Sequence, residues 1–243
     1  MKLTCLGKYG PYPKPGCACS GYLLQSGGKN IVIDLGCGTL PRLLKLLAAK
    51  DVDALILSHL HSDHMGDALT LRYALDSAKK LGARTEPLPV YMPAEPSAEA
   101  ALLASCAMMA PVHIEDGAEF VISGIVTRFA RMPHAVPGYA MAFFAEGKKF
   151  VYSGDTGYND SLAGFAGGAD LFIIESAFLS KDMPGNAAHI SAAQAGFIAS
   201  GAGAKRTLLT HIFPLYDENE ILKEAAGYCP RVSVIGELET YEV

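Results

Sequence analysis

The sequence predicts an α/β protein, and three observations carry that prediction. Short apolar runs such as Ala54-Leu55-Ile56-Leu57 and Leu171-Phe172-Ile173-Ile174 have the length and bulk of buried strands. Between such runs lie stretches with apolar residues at helical spacing, notably Leu40 to Ala49 and Ala68 to Leu81. The apolar runs end in Asp, Glu or His, and the exits of strands are where α/β sheets place their ligands. With 243 residues there is ample material for a core. No linker or charge run divides the chain, so residues 1–243 are read as one domain.

In chain order, Lys2 to Leu6 reads as the first strand. Residues 7–16 follow, too rich in Pro and Gly for regular structure. That loop is read either as a substrate-facing wall, with Tyr9 and Tyr12 as stacking surfaces, or as a rigid connection. Gly21 to Ser26 and Asn30 to Asp34 make a hairpin around Gly27-Gly28. Asp34 ends an apolar strand, so it either orients an imidazole or forms a turn before Gly36. A helix is expected over Leu40 to Ala49, with Thr39 as cap and Pro41 in its first turn. Ala68 to Leu81 is a second helix, Leu88 to Met92 a strand, and Ser97 to Met108 a small-residue helix. His113 belongs to no motif and is read as structural or exposed.

Ile125 to Met132 is a strand leading to His134. Tyr139 to Phe144 and Lys149 to Ser153 are two more, joined around Gly147, and Asp155 follows them. Leu171 to Glu175 repeats the pattern of a strand ending in an acid. Ser191-Ala192-Ala193-Gln194 is a capping box that starts a helix directly after His189. Thr207 to Thr210 is a strand ending at His211, and Asp217 to Ala226 a late helix.

The bulk numbers fit a water-soluble enzyme. Half the residues (50%) are hydrophobic, yet no apolar run approaches membrane-spanning length. A net charge of −5 argues against a broad nucleic-acid surface. Met1 to Gly7 lacks the apolar core of a secretory signal, and the six cysteines follow no disulfide-scaffold spacing. Reduced thiols in the cytoplasm are the expectation. Cys17-Ala18-Cys19 could bind a soft metal, but without a second pair it is read as ordinary thiols.

The chemistry concentrates in Ser58-His59-Leu60-His61-Ser62-Asp63-His64-Met65-Gly66, an H-x-H-x-D-H pattern. Three of the seven histidines stand here, directly after an apolar strand. Imidazole nitrogen and carboxylate oxygen suit zinc and its neighbours in the first-row series. His59 and His61 can reach one metal together. Asp63 and His64 follow as the chain turns and face a neighbouring position. Taken singly, His134, Asp155 and His211 are ambiguous, but each ends an apolar strand as the His59 motif does.

The ordered set of His59-x-His61-x-Asp63-His64, His134, Ser153-Gly154-Asp155-Thr156 and Thr210-His211 resembles the metallo-β-lactamase superfamily, over nearly the whole chain. The resemblance implies a four-layer αββα sandwich, two mixed sheets back to back with helices outside. It also implies two divalent metal ions, zinc first among them, with manganese or iron as alternatives. His59, His61 and His134 would hold the first ion, Asp63, His64 and His211 the second, and Asp155 would bridge them. Asp63 would also orient a hydroxide shared by the ions, which such a pair makes available at neutral pH. Histidine at position 61 favours hydrolysis over the oxidoreductase branch, which carries glutamate there.

Glu175 and His189 look like the acid and the histidine of ribonuclease Z and its relatives. The implied role is a relay in which Glu175 holds the ring of His189, and His189 protonates the leaving alkoxide. One departure stands out. The short-type enzyme carries a long arm that grips tRNA between its third metal histidine and its bridging aspartate, whereas only twenty residues separate His134 from Asp155. This favours a phosphodiesterase acting on a cyclic nucleotide, a short oligonucleotide or an RNA 3′ end. The alternatives are tRNA 3′ processing, or a lactone or thioester hydrolase assisted by Tyr139 or a loop tyrosine. A non-enzymatic binding role is expected to lose a ligand, and all seven are present. The resemblance further implies a homodimer, and no membrane partner is expected.

Overall fold

The computed structural model describes residues 1–243. Seven strands form the first sheet: β1 (Lys2–Gly7), β2 (Gly21–Ser26), β3 (Lys29–Leu35), β4 (Ala54–Ile56), β5 (Leu88–Met92), β6 (Met109–His113) and β14 (Thr240–Glu242). Their order is β14-β1-β2-β3-β4-β5-β6, antiparallel as far as β3 and parallel beyond it. The second sheet contains β7 (Glu119–Ile122), β8 (Ile125–Met132), β9 (Gly138–Ala145), β10 (Lys148–Tyr152), β11 (Leu171–Glu175), β12 (Arg206–Thr210) and β13 (Val232–Val234). Its order is β13-β12-β11-β10-β9-β8-β7, with the β10–β13 half parallel.

The parallel halves need crossovers, and helices supply them. In the first half of the chain these are α1 (Leu40–Leu43), α2 (Ser62–Met65), α3 (Ala68–Lys80) and α4 (Ser97–Ala104). In the second half they are α5 (Ser161–Phe165), α6 (Ala192–Ala202) and α7 (Glu218–Ala226). None of the helices is long and apolar enough to cross a membrane.

Both faces of the central strands are buried, which is why they read as unbroken apolar runs. Alternation sorts the side chains by face. Ile31 and Ile33 of β3 point between the sheets while Val32 points to the helices; Leu171 and Ile173 of β11 likewise face inward while Phe172 and Ile174 face outward. Three cores of 24, 23 and 21 buried residues result, one between each pair of layers, so the arrangement is the four-layer αββα sandwich. Each fully buried aliphatic or phenyl side chain contributes about 1.5–3 kcal/mol.

Two helices fall short of expectation. α1 stops at Leu43 because Leu44 and Leu46 are about half exposed, leaving Leu40 and Leu43 as its buried stripe. Thr39 does not cap it, since its hydroxyl donates to the Gly36 carbonyl; Asp67 accepts from the Leu40 N–H instead, at 2.8 Å. α4 ends at Ala104, and residues 105–108 turn directly into β6. The short edge strands β6, β7, β13 and β14 add to the expected set. All six cysteines are unpaired.

Candidate metal centre

The strands that carry the candidate residues end at one edge of the sandwich, as their parallel alignment requires. His59 to His64 follow β4, His134 follows β8, Asp155 follows β10, Glu175 closes β11 and His211 follows β12. The single turn of α2 turns Asp63 and His64 inward, and both are buried. That turn lies so close to Gly36 that any side chain there would overlap the Asp63 carbonyl.

Two groups of donor atoms result. Nε2 of His59 lies 3.0 Å from Nδ1 of His61, which lies 3.1 Å from Nε2 of His134. In the second group, His211 Nε2 is 3.2 Å from Asp63 Oδ2 and 3.1 Å from Asp155 Oδ2, and His64 Nε2 is 3.2 Å from Asp155 Oδ1. Asp155 also lies 3.6 Å from His59 Nε2, so its carboxylate stands between the two groups. The structure thus brings together all seven residues read as ligands. His113 is exposed at the end of β6 and takes no part. Cys17 and Cys19 are in neither donor group.

The surrounding hydrogen bonds fix how the rings present themselves. His64 Nδ1–H donates to Asp34 Oδ2 at 2.7 Å and His134 Nδ1–H to the Ala188 carbonyl at 2.9 Å. In each ring Nε2 is the nitrogen left facing the cluster, the arrangement of a metal-ligating histidine. Asp34 is fully buried and accepts three further bonds, from the Ser58 N–H, the Ser58 hydroxyl and the Tyr152 hydroxyl at 2.7, 2.8 and 2.9 Å. Of the two readings of Asp34, orienting an imidazole is the one its contacts match. Its φ of +50°, like the +52° of His211, is a left-handed conformation that costs a non-glycine residue energy and clusters at functional sites.

Electrostatics argue for cations here. Asp34, Asp63, Asp155 and Glu175 are buried carboxylates whose only cationic partners are histidines; no Lys or Arg pairs with them. Burial, reinforced by the charge of His64, pushes His59 well below the usual histidine value, and burial lowers His61 and His134 as well. Burial also opposes protonation of His64, but the carboxylates of Asp155, Asp34 and Asp63 outweigh it and hold that ring well above the usual value. For Asp155 burial works against ionisation, and His211, His64 and His59 hold the carboxyl well below the normal range. His64 Nε2 and Asp155 Oδ1 are buried without any hydrogen bond. Unpartnered donor atoms among buried carboxylates and imidazoles fit a site for divalent metal.

His189 stands beside this cluster. Its Nδ1 is 3.1 Å from Glu175 Oε1, and its ring stacks on His211 at 5.0 Å and meets His134 edge-on at 5.1 Å. Glu175 is fixed by two backbone donors, the Thr156 N–H at 2.6 Å and the Ile190 N–H at 3.1 Å. Burial opposes the charged form of His189, but Glu175 and Asp155 raise it to about 9. The same nitrogen also lies 3.8 Å from Asp155 and could join a donor group with it. Its shorter contact to Glu175 places the Nδ1–H there and leaves Nε2 to carry the second proton.

Some contributors were missed in the sequence. Gly10 lies flat on His211, and a methyl group there would overlap the imidazole. Tyr152 immediately precedes Ser153-Gly154-Asp155, which hinted at its role, but its partner Asp34 is 118 residues away. Tyr22 mirrors it, its hydroxyl bonding the Thr210 hydroxyl at 2.6 Å just before His211. Tyr139 is buried in the core between the sheets and does not face the cluster. Tyr9 is buried too, its hydroxyl bonded to Glu218.

Residues 29–212 match the model of the beta-lactamase superfamily domain. The chain is 32% identical to the probable metallo-hydrolase YhfI of Bacillus subtilis, over 93% of this chain and 92% of that one. The crystal structure of YhfI superposes with a TM-score of 0.94 at 30% identity, covering 99% and 98% of the two chains. A ribonuclease Z of Mycobacterium bovis is 26% identical over 100% of this chain and 98% of its own. A diphosphatase of the PhnP family shares the fold, with a TM-score of 0.76 at 18% identity over 100% and 97%. With its four layers and its His/Asp cluster at the strand ends, this chain belongs to the beta-lactamase superfamily.

Proposed function

We propose that this chain is a metal-dependent hydrolase of small phosphodiesters. The observation that carries the reading is the Glu175–His189 pair, set beside Asp155 but bonded away from it. His59, His61 and His134 would hold one divalent ion, Asp63, His64 and His211 a second, with Asp155 shared. Such ions, when bound, supply an activated water at neutral pH and neutralise charge developing on phosphoryl oxygens.

The chain's own residues do the rest. Asp34 and the Ala188 carbonyl keep His64 and His134 in the tautomer that offers Nε2. Glu175 holds the Nδ1–H of His189, so the proton on Nε2 is the one available to a leaving oxygen. The Glu175 carboxylate favours the protonated ring, and without metal His189 is raised to about 9. An alkoxide is a poor leaving group, and a positioned acid contributes about 10²–10⁴-fold to its departure.

Similarity to a ribonuclease Z and to a diphosphatase fold supports phosphorus–oxygen bonds as the target. Size favours a small substrate, because β9, β10 and their turn fill the span between His134 and Asp155. The lactone or thioester reading draws no support from Tyr139, which lies in the core.

The test is a series of phosphodiesters of rising leaving-group pKa, with His189→Ala and Glu175→Gln. His189→Ala should steepen the dependence of rate on leaving-group pKa, with metal content unchanged, and Glu175→Gln should do so more mildly. Equal losses along the series, or loss of metal, would make His189 structural.

A further inference from the structure

The loop at 7–16 has no part in the chemistry above, yet it is built against the cluster. Gly10 N–H donates to the Ile212 carbonyl at 3.3 Å and Ile212 N–H to the Lys8 carbonyl at 3.1 Å. These bonds tie the loop to the segment that carries His211. Its base is locked further, since Lys8 and Tyr9 both bond Glu218 and Lys14 donates to the Tyr216 carbonyl at 3.1 Å. Ile212 is fully buried in the core, and Phe213, two residues beyond His211, is part-exposed. Tyr12, 45% exposed, meets Phe213 edge-on with ring centroids 6.0 Å apart. One exposed ring on a tied-down loop therefore rests against a part-buried ring, Phe213, which also meets Tyr216 at 5.7 Å and lies two residues from a ligand candidate.

Edge-on packing leaves ring faces open for a third aromatic group. A nucleoside holds its base one sugar away from its phosphate, which suits a platform two residues beyond His211. From this geometry we infer that Tyr12 and Phe213 form a stacking platform for the base of a nucleoside phosphodiester. The inference rests on the phosphodiesterase reading and narrows it to substrates that carry a base.

Calorimetric titration of the metal-loaded protein with adenosine 5′-monophosphate and with ribose 5-phosphate separates the two ideas. Stacking on aromatic side chains should make the nucleotide bind about 5- to 150-fold more tightly. Tyr12→Ala and Phe213→Ala should erase most of that preference and leave ribose 5-phosphate affinity as it was. Tyr12→Phe, which keeps the ring, should retain the preference. Thermal melting checks that each variant is folded. Equal affinity for both ligands in the wild type, or a preference that survives Tyr12→Ala, overturns the platform while leaving the hydrolase reading intact. If neither ligand binds the loaded site, both ideas fall.

Discussion

Replacing Asp34 by asparagine probes the support beneath the cluster. Asparagine matches aspartate in volume and keeps one acceptor oxygen, so the change removes charge and little else. Three donors meet Oδ2, from Ser58, His64 and Tyr152, and one meets Oδ1, the Ser58 N–H. The amide should put its oxygen at the crowded position, which sets its NH2 against the Ser58 N–H. An unpaired buried donor costs about 1–3 kcal/mol, and bonds to a neutral acceptor are roughly half as strong as those to a carboxylate. Three weakened bonds add about 2–4 kcal/mol, partly offset because an amide is cheaper to bury than a carboxylate. A net loss of about 3 kcal/mol lowers the Tm of a chain this long by ~6–12 °C. Loosening His64 should weaken metal binding by about 10–100-fold. Chelator competition for the metal and melting of the metal-free protein read the two effects separately. A lowered Tm with unchanged metal affinity would refute the claim that Asp34 acts through His64.

Further outcomes follow from the same geometry. Asp155→Ala should lower bound metal and abolish hydrolysis while circular dichroism shows the fold intact; two retained equivalents of metal with near-normal turnover would refute the shared-ligand assignment. Gly10→Ala should displace His211 and cut metal affinity by at least about tenfold, checked by the same chelator titration. His189 must be protonated to act as an acid, so kcat/KM should fall along an alkaline limb, and that limb should vanish in His189→Ala. In the metal-free protein the raised value of His189 means its ion pair stabilises fully below about 6.5 and is lost as pH rises through about 9. The Tm gap between wild type and His189→Ala, worth at most about 3 kcal/mol, should close across that window.

What could be read from the sequence divides along a physical line. Strands buried on both faces announce themselves as apolar runs, so β3, β4, β11 and β12 were legible, and with them the residues at their ends. Candidate ligands clustered within one stretch, as His59 to His64 are, need no knowledge of the fold. Edge strands such as β13 and β14, three residues each, are too short to show a period. Pro111 obscures β6, where it sits in an edge strand that can tolerate it. The capping of α1 was misread because its partner, Asp67, comes from the start of another helix. The roles of Gly10 and Tyr152 are set by His211 and Asp34, which lie far off in the sequence. Residues at the ends of apolar runs were legible; the supports that tertiary contact brings beneath them were not.

The cluster draws His59, His61, Asp63 and His64 from behind one sheet and His134, Asp155 and His211 from behind the other. Beneath it two tyrosines reach across in opposite directions, Tyr152 to Asp34 and Tyr22 to Thr210. An ion held there is a rivet through two plates as well as a reagent. Its affinity adds to the cohesion of the plates, by about 4 kcal/mol when free metal stands at a thousand times Kd. Stripping the metal should therefore show first as faster hydrogen exchange on the inner faces of the strands near the cluster. In a cell, scarcity of that metal would silence the enzyme and shorten its life together.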